Sequence, residues 1–441
     1  MSQKSVVKVY RIRWLILITY IAFATLSTMH WVEYSIITNI VMKYYHVSAS
    51  EVNMTSLCFA IAWPIFVLPA SFIIDKMGLR VSALIGSVAT GLGALIKVFS
   101  IGENLFYVVM IGQVIVAISQ LFILSLPPKI AVTWFKPQEI STVCSLGLFG
   151  ITLGSALGFL VPPMVVNDSD KLEDIGHDFK ILCWALALLI APVILTVIVY
   201  FPVEPPLPPS QTMLEKRAVR QEVTLSGFFG SVKVLIKNKG FMLHTIAYSC
   251  CIGIFTSIGT LLNQIILSYF EGAQEDAGRM GMVMIVVGMI GAILTGFVLD
   301  KTHKYKETAF IIFLLSTLAM GGLALALEMK SKWMVYLAIS IFGFFLNAYL
   351  PAGVEFASEL TFPSPESTVT GILMATSQLL SVVMILPLGY IIDQYGALFC
   401  VIVMTVILVI GTVLTLFTPN RLNRRNAFTR ERNVEFILIK Q

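Results

Sequence analysis

Twelve apolar runs, each about 20 residues long, restrict the fold of this chain more than any other feature. They cover residues 14–41, 54–74, 81–101, 104–127, 141–165, 181–202, 241–268, 278–299, 308–327, 333–360, 368–392 and 396–418. Runs of that length match the hydrocarbon layer of a bilayer crossed by α-helices. Strands of a membrane barrel would be about half as long and would alternate in polarity. In lipid each backbone N–H and C=O must be paired within its own segment, so the expected class is an all-α membrane protein. Composition agrees, because only 12% of residues are charged where soluble domains carry about 25%.

The runs divide six plus six. Residues 203–240 form the only long polar connector, with Pro205-Pro206 and Pro208-Pro209 followed by Lys216, Arg217, Arg220, Lys233, Lys237 and Lys239. The expected organisation is an N-terminal segment 1–13, a six-helix bundle 14–202, a linker 203–240, a second six-helix bundle 241–418 and a tail 419–441. A phrase recurs at the same place in each half. Ser71-Phe72-Ile73-Ile74-Asp75-Lys76 ends the second run, and Gly296-Phe297-Val298-Leu299-Asp300-Lys301 ends the eighth. Two pseudo-symmetric bundles in a membrane usually move solutes through a site between the halves.

Cationic residues set the expected orientation. With the N-terminus inside, 23 of the 30 Lys and Arg residues fall in cytosolic segments, and Lys43, Lys97, Lys171, Lys180, Arg279, Lys330 and Lys332 are left on the outer side, which places both termini in the cytosol. Asn53-Met54-Thr55 and Asn167-Asp168-Ser169 are glycosylation sequons, and both then fall on the outer side. The plasma membrane is the expected location. No cleavable leader is read at the start. The six cysteines all lie in apolar runs, which gives neither a disulfide framework nor a metal spacing. The net charge of +5 follows from orientation and needs no nucleic-acid partner. With no nucleotide loop, nucleophile–base pair or metal cluster, an enzyme is not expected, nor a cofactor. A monomer with a small-molecule substrate is.

Several residues are candidates for a transport pathway. Ser27, Trp31, Tyr34 and Thr38 stand at helical spacing in the first run and so share one face. A Trp on a polar face can hold a quaternary ammonium by cation–π attraction. Glu33 and His30 lie off that face; Glu33 is either a carboxylate within the bilayer, which would mark function, or an outer-rim residue. Gln113 and Gln120 in the fourth run, Thr256, Thr260 and Asn263 in the seventh, and Gln378 and Ser381 in the eleventh are polar groups that should avoid lipid. Asp75, Gly78 and Arg80 form a turn in which the carboxylate can cap a helix and pair with the arginine, and Asp300 echoes it. Glu355 and Glu359 stand one helical turn apart toward the cytosolic end of the tenth run, as candidate gating groups. No acidic residue is read at mid-membrane, which favours a uniporter. Two other functions compete: transport of an amphipathic solute such as haem, with His30 as a ligand, and a surface receptor that transports nothing.

The six-plus-six plan and the Asp75-Lys76-Met77-Gly78-Leu79-Arg80 turn resemble the major facilitator superfamily. Longer strings resemble its feline leukaemia virus subgroup C receptor-related branch. They are Trp31-Val32-Glu33-Tyr34-Ser35-Ile36-Ile37, Gln120 through Pro127, Thr260-Leu261-Leu262-Asn263-Gln264, Tyr269-Phe270-Glu271-Gly272 and Glu355-Phe356-Ala357-Ser358-Glu359. The resemblance implies facilitated transport of choline and ethanolamine by alternating access. It also implies an ammonium site built from a first-span Trp, a seventh-span aromatic and glutamines of the fourth and eleventh spans. Trp31, Gln120 and Gln378 match that set. The aromatic does not, since Phe255-Thr256-Ser257 stands where the family has Phe-Tyr-Ser. Ile151 and Met374 replace family asparagines. Phe59 or Phe255 is then the candidate for a second aromatic wall.

Overall fold

The computed structural model describes residues 9–136, 139–202, 205–207, 232–302, 304–362, 364 and 366–420. Among them the elements are helices α1 (Ile12–Met29), α2 (Thr38–Tyr45), α3 (Ala49–Val98), α4 (Phe106–Trp134), α5 (Ile140–Val165) and α6 (Leu172–Tyr200). Then come α7 (Lys239–Leu267), α8 (Gln274–Thr302), α9 (Tyr305–Glu328), α10 (Lys332–Thr361), α11 (Glu366–Tyr395) and α12 (Ala397–Phe417). α3 bends at Gly78, whose φ of 79° lies in the left-handed region that favours glycine. The bend separates two stretches, Ala49–Val67 and Lys76–Val98, so the described residues hold 12 helices long and apolar enough to cross a membrane. The protein is a multi-pass membrane protein. Side chains such as Leu188, Leu195, Val199, Leu318 and Val383 are exposed along these helices, as lipid-facing residues must be.

Two compact units divide the chain. The first is Met1–Gln221 together with Gly259–Met282, and the second is Glu222–Ile258 with Val283–Gln441. In the first unit α1 lies against α5 along a glycine seam. Gly150, Gly154 and Gly158 recur every four residues and so share one helix face. A Cβ at Gly150 would come 3.0 Å from the Ile21 carbonyl oxygen, and one at Gly158 would come 2.6 Å from that of Met29. At Gly154 it would collide with the Thr25 carbonyl. Where two helices meet backbone to backbone in a membrane, dispersion and polar contacts replace the missing hydrophobic force. Here Thr25 Oγ1 also donates to the Gly150 carbonyl at 3.0 Å.

α3 and α4 make a second close crossing. A Cβ on Gly93 would come 2.7 Å from the Gly112 oxygen, and one on Gly112 would come 2.5 Å from Lys97 Cγ. Gly112 therefore provides the space through which the Lys97 stem runs. At the start of α1, Arg13 and Glu139 form a bidentate pair at 2.6 and 3.2 Å. Burial pushes the Glu139 carboxyl up, but the Lys136 N–H and the Arg13 guanidinium outweigh it and hold its pKa below the usual value. A depressed carboxylate stabilises the fold above its ordinary pKa, and that contribution fades as pH falls through the lowered one.

In the second unit, α8 and α10 pack in the same manner. Gly343 meets the Met284 carbonyl and Gly291 meets that of Phe344. Pro351 interrupts the α10 ladder. Nearby, His244 Nε2 donates to the Gly353 carbonyl at 2.8 Å and Tyr248 donates to that of Leu350 at 3.4 Å.

The seam gives a direct test. Gly154→Leu should cost about 1–3 kcal/mol through forced backbone separation and lower the unfolding temperature in detergent. Gly322→Ala, where an added Cβ meets nothing within 4 Å, should leave that temperature unchanged or slightly raised.

Candidate functional site

The first apolar run is not one helix. α1 stops at Met29; His30 and Trp31 bond back to Ser27 and Thr28 in i→i−3 fashion, at 3.3 and 3.1 Å. Residues 30–34 form turns, Ser35–Ile37 a short 3-10 segment, and α2 begins at Thr38. The shared face expected for Ser27, Trp31, Tyr34 and Thr38 therefore does not exist, because the helical register is lost between Met29 and Thr38. Ser27 joins Thr90 and Ser119 in a buried hydroxyl cluster, at 3.1 and 3.3 Å. Tyr34 is fully buried, stacked on Phe179 at a centroid distance of 6.2 Å, with its hydroxyl 3.8 Å from Cys183 Sγ. It packs toward α6 and is a core residue, not a wall beside Trp31.

Trp31 is half-buried. Its ring meets Phe159 edge-on at 6.4 Å and packs against Phe59, Cys58, Ala62, Val116 and Ala117. It also approaches α7, where a Cβ on Gly259 would lie 3.0 Å from the indole Cη2. Gln120, also half-buried, donates to the Ser27 carbonyl at 3.2 Å. The first unit thus gathers Trp31, Phe59 and Gln120 around the end of α1. Thr256 and Gln378 belong to the second unit, on α7 and α11. The Thr256 hydroxyl donates to the carbonyls of Ile252 and Gly253, both at 3.0 Å.

Sequence reasoning missed the strongest polar feature of this unit. Glu33, read there as either intramembrane or at the outer rim, is 0% exposed, and Lys97, counted there among outer cations, is 1% exposed. Lys97 Nζ donates to Glu33 Oε2 at 2.5 Å and lies 2.6 Å from His30 Nδ1, which itself is 2.5 Å from Glu33 Oε2. Gln113 Oε1 accepts from Lys97 at 3.4 Å, and its Nε2 donates to the His30 carbonyl at 2.9 Å. The ammonium also sits 5.3 Å from the Tyr34 ring. An acidic residue does therefore lie buried in this unit, matched by a cation. A signal was available: Lys97 falls inside the third apolar run, and an intramembrane cation calls for a carboxylate partner. His30 is sealed in this cluster, which leaves it unsuited to ligating haem.

The other candidates fall as follows. Arg80 donates to the Ile198 carbonyl at 3.0 Å. The side chains of Asp75 and Asp300 lie outside the described residues, although their backbones belong to α3 and α8. Along α10, Glu355 is exposed and Glu359 buried. Asn167 is exposed and donates to Asp178 at 3.2 Å. Asn53, in contrast, sits within α3 at 2% exposure and accepts from Gln264 Nε2 at 2.8 Å. A glycan acceptor needs a solvent-facing loop, so Asn53 does not suit that role. Close by, Asn263 Nδ2 donates to the Ile36 carbonyl at 2.8 Å and to Asn39 Oδ1 at 3.2 Å.

Lys97→Met should destabilise the protein by about 3–5 kcal/mol, because it leaves the Glu33 carboxylate buried without its cation. The double replacement Glu33→Gln/Lys97→Met should recover most of that loss. Thermal unfolding of the purified proteins in one detergent measures both.

Residues 16–378 match the Major Facilitator Superfamily. An uncharacterized MFS-type transporter of Caenorhabditis elegans is 36% identical over 420 residues, covering 95% of this chain and 71% of that protein. The choline/ethanolamine transporter flvcr2a of Danio rerio is 36% identical over 427 residues, covering 97% of this chain and 90% of that protein. Among solved structures, an inward-facing, occupied bacterial homolog of the human lysosomal transporter Spinster aligns with a TM-score of 0.69 at 14% identity, over 93% of this chain and 97% of that one. At that identity the likeness speaks for the fold alone. With its twelve spans, its superfamily match and relatives above a third identical along nearly its whole length, the chain belongs to the Major Facilitator Superfamily, in the FLVCR branch.

Proposed function

We propose that this transporter carries choline and ethanolamine down their gradients, with Trp31 facing the ammonium. The observation that carries the reading is the grouping of Trp31, Phe59 and Gln120 in the first unit, an indole beside a phenyl ring with an amide at the end of α1. A trimethylammonium is weakly hydrated, so apolar walls with one π face suit it. Such a contact contributes about 0.5–2 kcal/mol. Relatives sharing 34–36% of residues are named choline/ethanolamine transporters. Thr256, where the family has an aromatic, removes one ring, and Phe59 is the residue we assign in its place. Gln378 keeps its family role as an orienting amide.

We further assign the turn of Asp75, Gly78 and Arg80, with Asp300, Glu355 and Glu359, to gating on the cytosolic side. Both termini are cytosolic in this reading, the membrane is the plasma membrane, the working unit is a monomer, and Asn167 is the glycan acceptor. Uniport stands on a different footing from that given by sequence. The buried carboxylate Glu33 is neutralised in place by Lys97, so transport does not require it to exchange a proton.

Uptake of labelled choline into cells expressing this chain tests the reading. Trp31→Ala should cut uptake at low substrate by about ten-fold, given the size of one cation–π contact. Wild-type uptake should persist when the pH gradient is collapsed. Equal uptake by Trp31→Ala would refute the site, and abolition by collapse of the gradient would refute uniport.

A further inference from the structure

We propose that Glu33, His30, Lys97 and Gln113 are positioning residues that fix the Trp31 indole, and thereby set the affinity for the ammonium. The inference rests on the reading of Trp31 as the substrate site. Trp31 stands in a stretch with no helical ladder of its own, where backbone carbonyls lose their partners and a side chain has no rigid base. Two side chains supply what the helix does not. Gln113 Nε2 from α4 holds the carbonyl of His30 at 2.9 Å, and Ser56 Oγ from α3 holds that of Trp31 at 2.8 Å. The peptide bond on each side of the Trp31 Cα is thus tied to a different helix.

The charged cluster fixes the same turn from its other side. His30 and Glu33 flank Trp31 in sequence, and both converge on Lys97 Nζ. Glu33 uses Oε2 for both partners, while Oε1 has none among the described residues. A carboxylate held through one oxygen contributes direction at the expense of full satisfaction. Gly112 leaves room for the Lys97 stem. Gln113 joins the two halves of the arrangement, since its Oε1 meets Lys97 and its Nε2 meets the His30 carbonyl. If the ions only balanced one another, nothing would require them to lie on either side of the indole, or to share an amide with its backbone.

The test is concentration-dependent uptake of labelled choline, normalised to protein at the cell surface. Three variants act on the device without leaving a lone buried charge: Gln113→Leu, Ser56→Ala and the double Glu33→Gln/Lys97→Met. Losing one net hydrogen bond changes an equilibrium by about three- to ten-fold. Ser56→Ala should therefore raise KM about three-fold, and Gln113→Leu and the double variant about ten-fold. The maximal rate per surface molecule should stay within about two-fold, since a displaced indole weakens binding without slowing the protein's own transitions. Ser56→Ala removes one hydroxyl and keeps the test open if the larger changes hinder folding. KM values within two-fold of wild type in all expressed variants, beside a raised KM in Trp31→Ala, would overturn this inference and leave the site standing. An unchanged KM in Trp31→Ala would overturn both.

Discussion

A lysine and a glutamate sealed together within a membrane-spanning unit set the terms for much of what surrounds them. Neither ion could be carried alone into so apolar a setting, and together they are tolerated only if geometry and further hydrogen bonds offset their lost hydration. Lys97 and Glu33 meet that demand with His30 and Gln113 as additional partners. The demand spreads outward. Gly112 must lack a side chain so that the lysine stem can pass, and α3 must approach α4 at Gly93. His30 and Glu33, three residues apart just after Met29, both meet the Lys97 nitrogen. The irregular backbone that carries Trp31 lies beside that cation, between His30 and Glu33.

The spans were legible in the sequence because each is a long apolar run and hydropathy registers little else. Within the first run the helix ends at Met29-His30-Trp31 with no Pro or Gly to mark the place. Polar contacts from two other helices, distant in sequence, satisfy the backbone at the break, and no local propensity reports them. The same reason explains Tyr34 and Asn53, whose periodicity and sequon suited an open surface while tertiary packing made each a core residue. Trp31 and Gln120 stood out as candidates because their chemistry is unusual for an apolar run, whereas Phe59 was named only through the family resemblance. Lys97 was lost by counting it with the outer cations, although it falls within the third apolar run, 81–101.

In the proposed ammonium site Thr256 stands where the family resemblance implies an aromatic, and on that reading it bears on how narrow the specificity can be. Its hydroxyl is turned back onto the carbonyls of its own helix, as hydroxyl-bearing residues in membrane helices commonly are. The position then presents a methyl group more than a donor. Apolar contact of that kind grips a methylated ammonium less tightly than a ring does, but it discriminates less between methylated and bare amines, because the strength of a π contact depends on the cation's own hydration.

The glycine contacts have a mechanical consequence. At Gly154 against Thr25, and at Gly93 against Gly112, two main chains touch with no flexible side chain between them. Such joints resist shear, since a slip of even one residue would bring a bulkier neighbour against a peptide group. Helices locked in this way act as stiff beams. The His30 and Trp31 carbonyls have no such joint and are held instead by side-chain hydrogen bonds from Gln113 and Ser56, so a single polar substitution can shift them where the glycine seams would stay put.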